Sequence, residues 1–279
     1  MAEKSAFHKV IDLKEVKQLL DQIRQDRGFS TGYEELDQQC GGLVRNGVTL
    51  LAGRPGMGKT SLALNMVARL SRQEEGTILI FAPGPWPNEM ISRLLGIAMA
   101  VPLHKLLDDS FPSFVVADMF AEYYRAKKSN IKVDCNSFLT LGHILDKCYS
   151  IPDLRMVVIA PVNGICDAVE WDKPEEPKRV YNVLGKMAQD LNVPVLCTLQ
   201  LHRSLEKRKN KRPRLGDLKK VGISENMADQ IFFLYRDRYY EYQGEEGAEL
   251  IITKVAQGEA GTIYLDWDYE TGCFSEKDN

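Results

Sequence analysis

The run Gly53-Arg54-Pro55-Gly56-Met57-Gly58-Lys59-Thr60 has the spacing G-x-x-x-x-G-K-[ST], and each residue type in it has a chemical reason. The glycines let the chain fold back so that successive backbone N–H groups converge on one point, which suits anionic oxygen. A lysine directly after the last glycine reaches the outer phosphates of a nucleoside triphosphate. The hydroxyl one residue further on ligates the Mg²⁺ that accompanies it. Lys59 and Thr60 are therefore the predicted phosphate and metal contacts, and Gly53 to Gly58 the backbone cradle.

Such a loop works only between a strand and a helix. Val48-Thr49-Leu50-Leu51 is a short apolar run that reads as a buried strand, and Leu62, Leu64, Met66, Val67 and Leu70 supply the apolar face of a following helix. The helix N-terminus then points its free N–H groups and its dipole at the phosphates. The same alternation continues down the chain. Thr77 to Phe81, Ile131 to Val133, Met156 to Ile159, Val193 to Leu199, Gln230 to Leu234, Glu249 to Thr253 and Thr262 to Trp267 read as strands. Helices are expected through Met90 to Ile97, Phe114 to Ala126, Leu141 to Cys148 and Val180 to Leu191, with a Pro-Gly-Pro turn at Pro83 to Pro85 and a mobile loop at Asp172 to Lys178. This pattern predicts an α/β fold with a mainly parallel central sheet, helices on both faces, and ligands at the carboxyl ends of the strands. Residues 10–26 carry an amphipathic helical stripe, Val10, Leu13, Val16, Leu19, Leu20 and Ile23, broken at Arg27-Gly28. The expected organisation is a linker helix over 1–28 followed by one domain over 29–279.

Composition narrows the classes further. With 44% hydrophobic and 27% charged residues in 279, the chain can bury a sizeable core and is not of disordered composition. It has no apolar run of ~18 residues and no basic-then-apolar start of the secretory kind, which leads to the expectation of a soluble cytoplasmic protein without membrane association. The six cysteines are scattered, with no C-x-x-C pair, and read as reduced thiols. Net charge is only −3, yet Arg203 to Lys220 holds nine basic residues against two acidic ones. A basic stretch in an otherwise acidic chain is a focused field for phosphates, or else a solvated surface loop.

Phe29-Ser30-Thr31-Gly32-Tyr33-Glu34-Glu35-Leu36-Asp37, Gly41-Gly42-Leu43, the Arg54-to-Thr60 loop, Gln200-Leu201-His202-Arg203-Ser204-Leu205-Glu206, Lys211-Arg212-Pro213, Gly216-Asp217-Leu218 and Tyr235-Arg236-Asp237 fall in one order. Together they resemble the RecA-like motor domain of DnaB-type hexameric replicative helicases. The resemblance spans residues 29 to about 266 and has no counterpart of the family's N-terminal primase-interacting domain. What it implies is ATP as the nucleotide, Gln200 as a sensor of its γ-phosphate, and single-stranded DNA along the stretch Leu218-Lys219-Lys220-Val221-Gly222. Arg203, Lys219, Lys220 and Gly222 are the expected DNA contacts. A second channel loop, Asp167 to Arg179, carries five acids against three bases. Replication proteins and further copies of the chain, in a hexamer-like ring, are the partners the resemblance leaves open.

The catalytic positions depart from the family. Its water-orienting glutamate falls on Gly84, its metal-shell aspartate on Ala160, and its arginine finger on Ala256, two residues after the matching Lys254, which remains available for a contact in trans. The leading expectation is an ATP-binding relative with impaired hydrolysis and unwinding. Two rivals stay open: an active helicase in which Glu89 or Asp167 substitutes for the missing carboxylates, and a scaffold that holds nucleotide without touching DNA.

Overall fold

The computed structural model describes residues 28–73, 75–84, 87–106, 118, 128–167, 175–241, 244 and 247–277. The linker helix expected over 1–28 lies outside these residues except for Gly28, and the Phe114 to Ala126 helix lies outside them except for Asp118. Strands are β1 Val48–Gly53, β2 Gly76–Phe81, β3 Ser129–Asp134, β4 Leu154–Ile159, β5 Val195–Gln200, β6 Gln230–Tyr235, β7 Ala248–Lys254, β8 Gly261–Asp268 and β9 Cys273–Glu276. They form one sheet in the order β3-β2-β4-β5-β1-β6-β7-β8-β9. β1 to β6 run parallel, while β7, β8 and β9 extend the sheet as antiparallel neighbours.

The central strands are apolar on both sides because both sides are covered. Leu51, Ile78, Ile80, Met156, Val158 and Leu196 join one core with Leu62, Met66 and Val67 of helix α2, Lys59–Gln73. To the same side belong α1, Glu34–Cys40, and α3, Pro87–Met99, through Leu36 and Leu94. Leu50, Leu79, Phe81, Val157, Ile159 and Cys197 face the other way, onto Ile144 of Leu141–Tyr149 and Val180, Leu184 and Met187 of Glu175–Leu191. Adjacent residues such as Leu50 and Leu51 thus enter different cores, as the two-residue strand period requires.

One expectation is corrected. Residues 175–178 of the predicted mobile loop are the first turn of the helix Glu175–Leu191, and 168–174 lie outside the described residues. Pro177 is compatible with this turn, because a proline in a first turn sacrifices no intrahelical bond, and Glu175 and Glu176 suit the positive end of the dipole. The thiols of Cys40, Cys148 and Cys197 are buried, and no cysteine is in a disulfide. Among the described residues, no helix is long and apolar enough to cross a membrane.

Candidate functional site

The carboxyl end of β1 turns at Gly53 into the loop and re-enters helix at Lys59. Gly56 and Gly58 have φ of 76° and 95°, values that L side chains rarely adopt. A Cβ on Gly58 would also lie 2.8 Å from the Phe274 ring, so packing and backbone both demand glycine there. The Lys59 ammonium donates to the Arg54 carbonyl at 2.8 Å. Burial first, then the Arg54 charge, lowers its pKa to about 8. Gln200, the last residue of β5, is exposed and lies in register with Gly53, which puts the candidate sensor beside the loop.

Gly56, Gly58, Lys59, Thr60 and Ser61 form the floor of a cleft of about 460 Å³. Its walls were not foreseen. They are Arg93 and Gly96 of α3 and, from the far end of the chain, Trp267 and Tyr269 to Gly272 of the β8–β9 turn. Asp268 builds that turn by accepting from the Glu270 N–H at 2.9 Å and the Thr271 hydroxyl at 2.7 Å. Asn65 of α2 then ties the turn to the phosphate loop. Its amide donates to Gly272 O at 2.9 Å, and its oxygen accepts from the Phe274 N–H at 3.1 Å. Arg236 adds a cation. Its guanidinium lies 4.8 Å from the Trp267 ring centre and donates to Gly56 O at 3.3 Å, and burial pulls its pKa down. A cradle of N–H groups with two partly desolvated cations, Lys59 and Arg236, fits a polyanionic ligand. For Mg²⁺ the chain offers the Thr60 hydroxyl, and no group of three or more His, Cys, Asp or Glu able to hold a metal occurs among the described residues. The ion would be held by Thr60 and the nucleotide's own phosphates, a mode Mg²⁺ accepts readily.

The positions after β2 and β4 carry no functional side chain. Among the described residues, a Cβ added to Gly84 would meet nothing within 4 Å; the Gly84 carbonyl accepts from the Ser137 hydroxyl at 3.1 Å. Ala160 is 4% exposed, and its N–H is bonded to Phe81 O. The carboxylates considered as substitutes have partners of their own: Glu89 pairs with Arg93 on the same helix, and Asp167 accepts the Leu141 N–H at 3.0 Å at the start of Leu141–Tyr149. Asp134 ends β3, one strand beyond β2, and pairs with His143 at 2.7 Å. Ala256 is exposed in the turn after β7. Lys254 donates to the carbonyls of Glu225 and Ala228 at 2.9 and 2.6 Å, so its ammonium serves its own chain.

The basic segment divides in two. Arg208 forms a two-bond pair with Asp217, Arg212 another with Glu249, and Lys211 lies 3.8 Å from Glu241. These three are structural, and the spacing that clustered them in sequence said nothing of Glu249. Arg203, Lys207, Lys209, Arg214, Lys219 and Lys220 are exposed. Lys219 and Lys220 sit in one helical turn closed by Gly222, φ 74°, whose N–H donates to Lys219 O at 3.3 Å.

Comparison with known proteins agrees with this architecture. Residues 28–276 match the family described as DnaB-like helicase C terminal domain. The chain is 28% identical over 273 residues to the replicative DNA helicase DnaC of Bacillus subtilis, covering 94% of this chain and 60% of that one. It is 30% identical over 260 residues to the replicative DNA helicase DnaB of Buchnera aphidicola subsp. Baizongia pistaciae, covering 90% and 56%. The chain thus spans somewhat over half the length of these relatives. In structure it is similar to a solved domain described as an ATPase domain, with a TM-score of 0.84 and 27% identity over 97% of this chain and all of that one. A DnaB-like replicative helicase described with its interactions with primase gives a TM-score of 0.81 at 27% identity, covering 97% of this chain and 68% of that one.

Proposed function

Because the chain belongs to the DnaB-like helicase C-terminal domain family, we propose that it binds ATP with Mg²⁺ and single-stranded DNA and turns the nucleotide over far more slowly than a working motor. The observation that carries this reading is an intact phosphate loop in a sequence that has Gly84, Ala160 and Ala256 at the positions where the family carries its catalytic side chains.

Ground-state binding rests on the backbone cradle, Lys59 and Thr60, all retained. Turnover rests on groups that orient water and neutralise charge in the transition state. An arginine finger alone is worth ~10³–10⁵ in rate, and one preorganised electrostatic group ~10²–10³. Such losses do not simply multiply, but any one of them leaves a slow enzyme. The exposed cations Arg203, Lys219 and Lys220 supply sequence-independent attraction for phosphates. Replication proteins, and a ring of copies in the cytoplasm, complete the proposal by analogy with the replicative helicases that the chain resembles.

The test is nucleotide binding and phosphate release measured on one preparation. Micromolar ATP affinity, lost in Lys59→Ala, with release at the Lys59→Ala background is expected. Helicase-like release that disappears in Lys59→Ala would overturn the claim of impaired turnover.

A further inference from the structure

The carboxyl end of β5 presents two polar side chains to solvent between buried neighbours. Val195, Cys197, Leu199 and Leu201 enter the core on one side of the sheet, while Leu196 enters the other core together with α2. By the two-residue period of a strand, Gln200 and His202 share the α2 face, and α2 is the helix that opens with Lys59 and Thr60. His202 keeps an extended backbone, φ −69° and ψ 145°, so the alternation runs past the end of the strand. Both residues are exposed. The residue before His202 is tied to the phosphate loop twice: the Leu201 N–H donates to Gly53 O at 3.1 Å, and the Leu201 carbonyl accepts the Arg54 guanidinium at 2.7 Å.

The imidazole is oriented as well. Its Nδ1 accepts the Ser204 N–H at 3.2 Å, capping the short helical turn Arg203–Lys207. A backbone N–H can only donate, so Nδ1 carries no proton and the ring's proton sits on Nε2. Among the described residues that Nε2–H has no hydrogen-bond partner. We propose that His202 is a nucleotide contact, its Nε2–H donating to an oxygen of the terminal phosphate beside Gln200, so that the site favours a nucleoside triphosphate over a diphosphate. The proposal rests on the reading that the loop binds ATP. A donor within the same chain matters here because Ala256 stands at the position of the family's arginine finger and Lys254 is held by the carbonyls of Glu225 and Ala228. A neutral imidazole contributes a hydrogen bond without the positive charge that an arginine brings to the transition state. It therefore retains the triphosphate without hastening its cleavage.

The test compares ADP with a non-hydrolysable ATP analogue, each with Mg²⁺, on the native chain, His202→Ser and His202→Ala. Serine keeps an acceptor for the Ser204 N–H and lacks the distal donor, whereas alanine lacks both. In both variants the preference for analogue over ADP should fall about tenfold, the value of one hydrogen bond to a charged group, while ADP affinity stays within about twofold of native. If His202→Ser keeps the native preference, the residue is a helix cap and the contact is refuted. A loss shared equally by the two nucleotides also refutes it, because only the terminal phosphate distinguishes them. A serine variant that keeps the preference and binds a labelled oligo-dT strand more weakly would turn the imidazole toward nucleic acid and overturn the proposal. In each of these outcomes the native chain still binds nucleotide and that reading stands; a native chain that binds neither nucleotide removes both.

Discussion

Introducing the family's groups at Gly84, Ala160 and Ala256 is the sharpest test of the proposed slow turnover. At Gly84 an added Cβ meets no atom of the described residues within 4 Å, and φ there is not positive. Gly84→Glu should change stability by no more than about 0.5 kcal/mol, and the exposed Ala256→Arg likewise. Ala160, 4% exposed, is different, because a carboxylate there must shed its hydration, so Ala160→Asp is introduced last. With the other two groups still absent, Gly84→Glu alone should raise phosphate release by no more than ~10-fold, since groups that act as a unit are not additive. The triple variant should gain ~10³-fold or more, the value of a finger together with an oriented water. The assay is steady-state phosphate release, alongside nucleotide affinity and a melting curve for each variant. A triple variant that is folded, binds nucleotide as the native chain does and still releases phosphate at the Lys59→Ala background would refute the reasoning. Something other than these three positions would then limit turnover.

Nucleotide affinity should be highest below pH 8 and fall as pH rises through about 8, where Lys59 of the free protein loses its proton; titrations from pH 7 to 9.5 check this. The same depression has the opposite sign for the nucleotide-free fold. Between about 8 and 10.5 the unfolded chain holds a proton that the folded one has lost, so Lys59's contribution to stability rises with pH across that window. Lys219→Ala with Lys220→Ala should weaken single-strand binding and lower the slope of log affinity against log salt by about 1.4, the share of two phosphates. An unchanged slope would place the strand elsewhere. Asn65→Ala leaves the Phe274 N–H and the Gly272 carbonyl without that partner. It should cost about 2 kcal/mol, a fall in Tm of roughly 4–8 °C, and weaken nucleotide binding as the turn beside Trp267 loosens.

The parallel half of the sheet was readable because strands buried on two faces are apolar at nearly every position, as in Met156 to Ile159 or Ile231 to Leu234. The phosphate loop was readable because its chemistry needs adjacent residues. The cleft walls were not, since Arg93, Trp267 and Tyr269 are single side chains brought together by topology, and the four-residue β9 is too short for a period to show. Charge misled in a similar way. Nothing within Arg203 to Lys220 indicates that Arg212 will face Glu249, a residue on β7, or that Lys211 will lie near Glu241.

The cleft also has an order of construction. Its floor ends by Ser61, while its far wall, Trp267 and Tyr269 to Gly272, is translated roughly two hundred residues later. As the chain leaves the ribosome, the phosphate loop is exposed first and stays half-built while the parallel strands assemble. Only when β8 pairs with β7 and β9 folds back on β8 does Asn65 find the carbonyl and N–H it holds. A chain ending before that hairpin would hold the octapeptide Gly53 to Thr60 and the cleft floor, and would lack the far wall that Asn65 ties down.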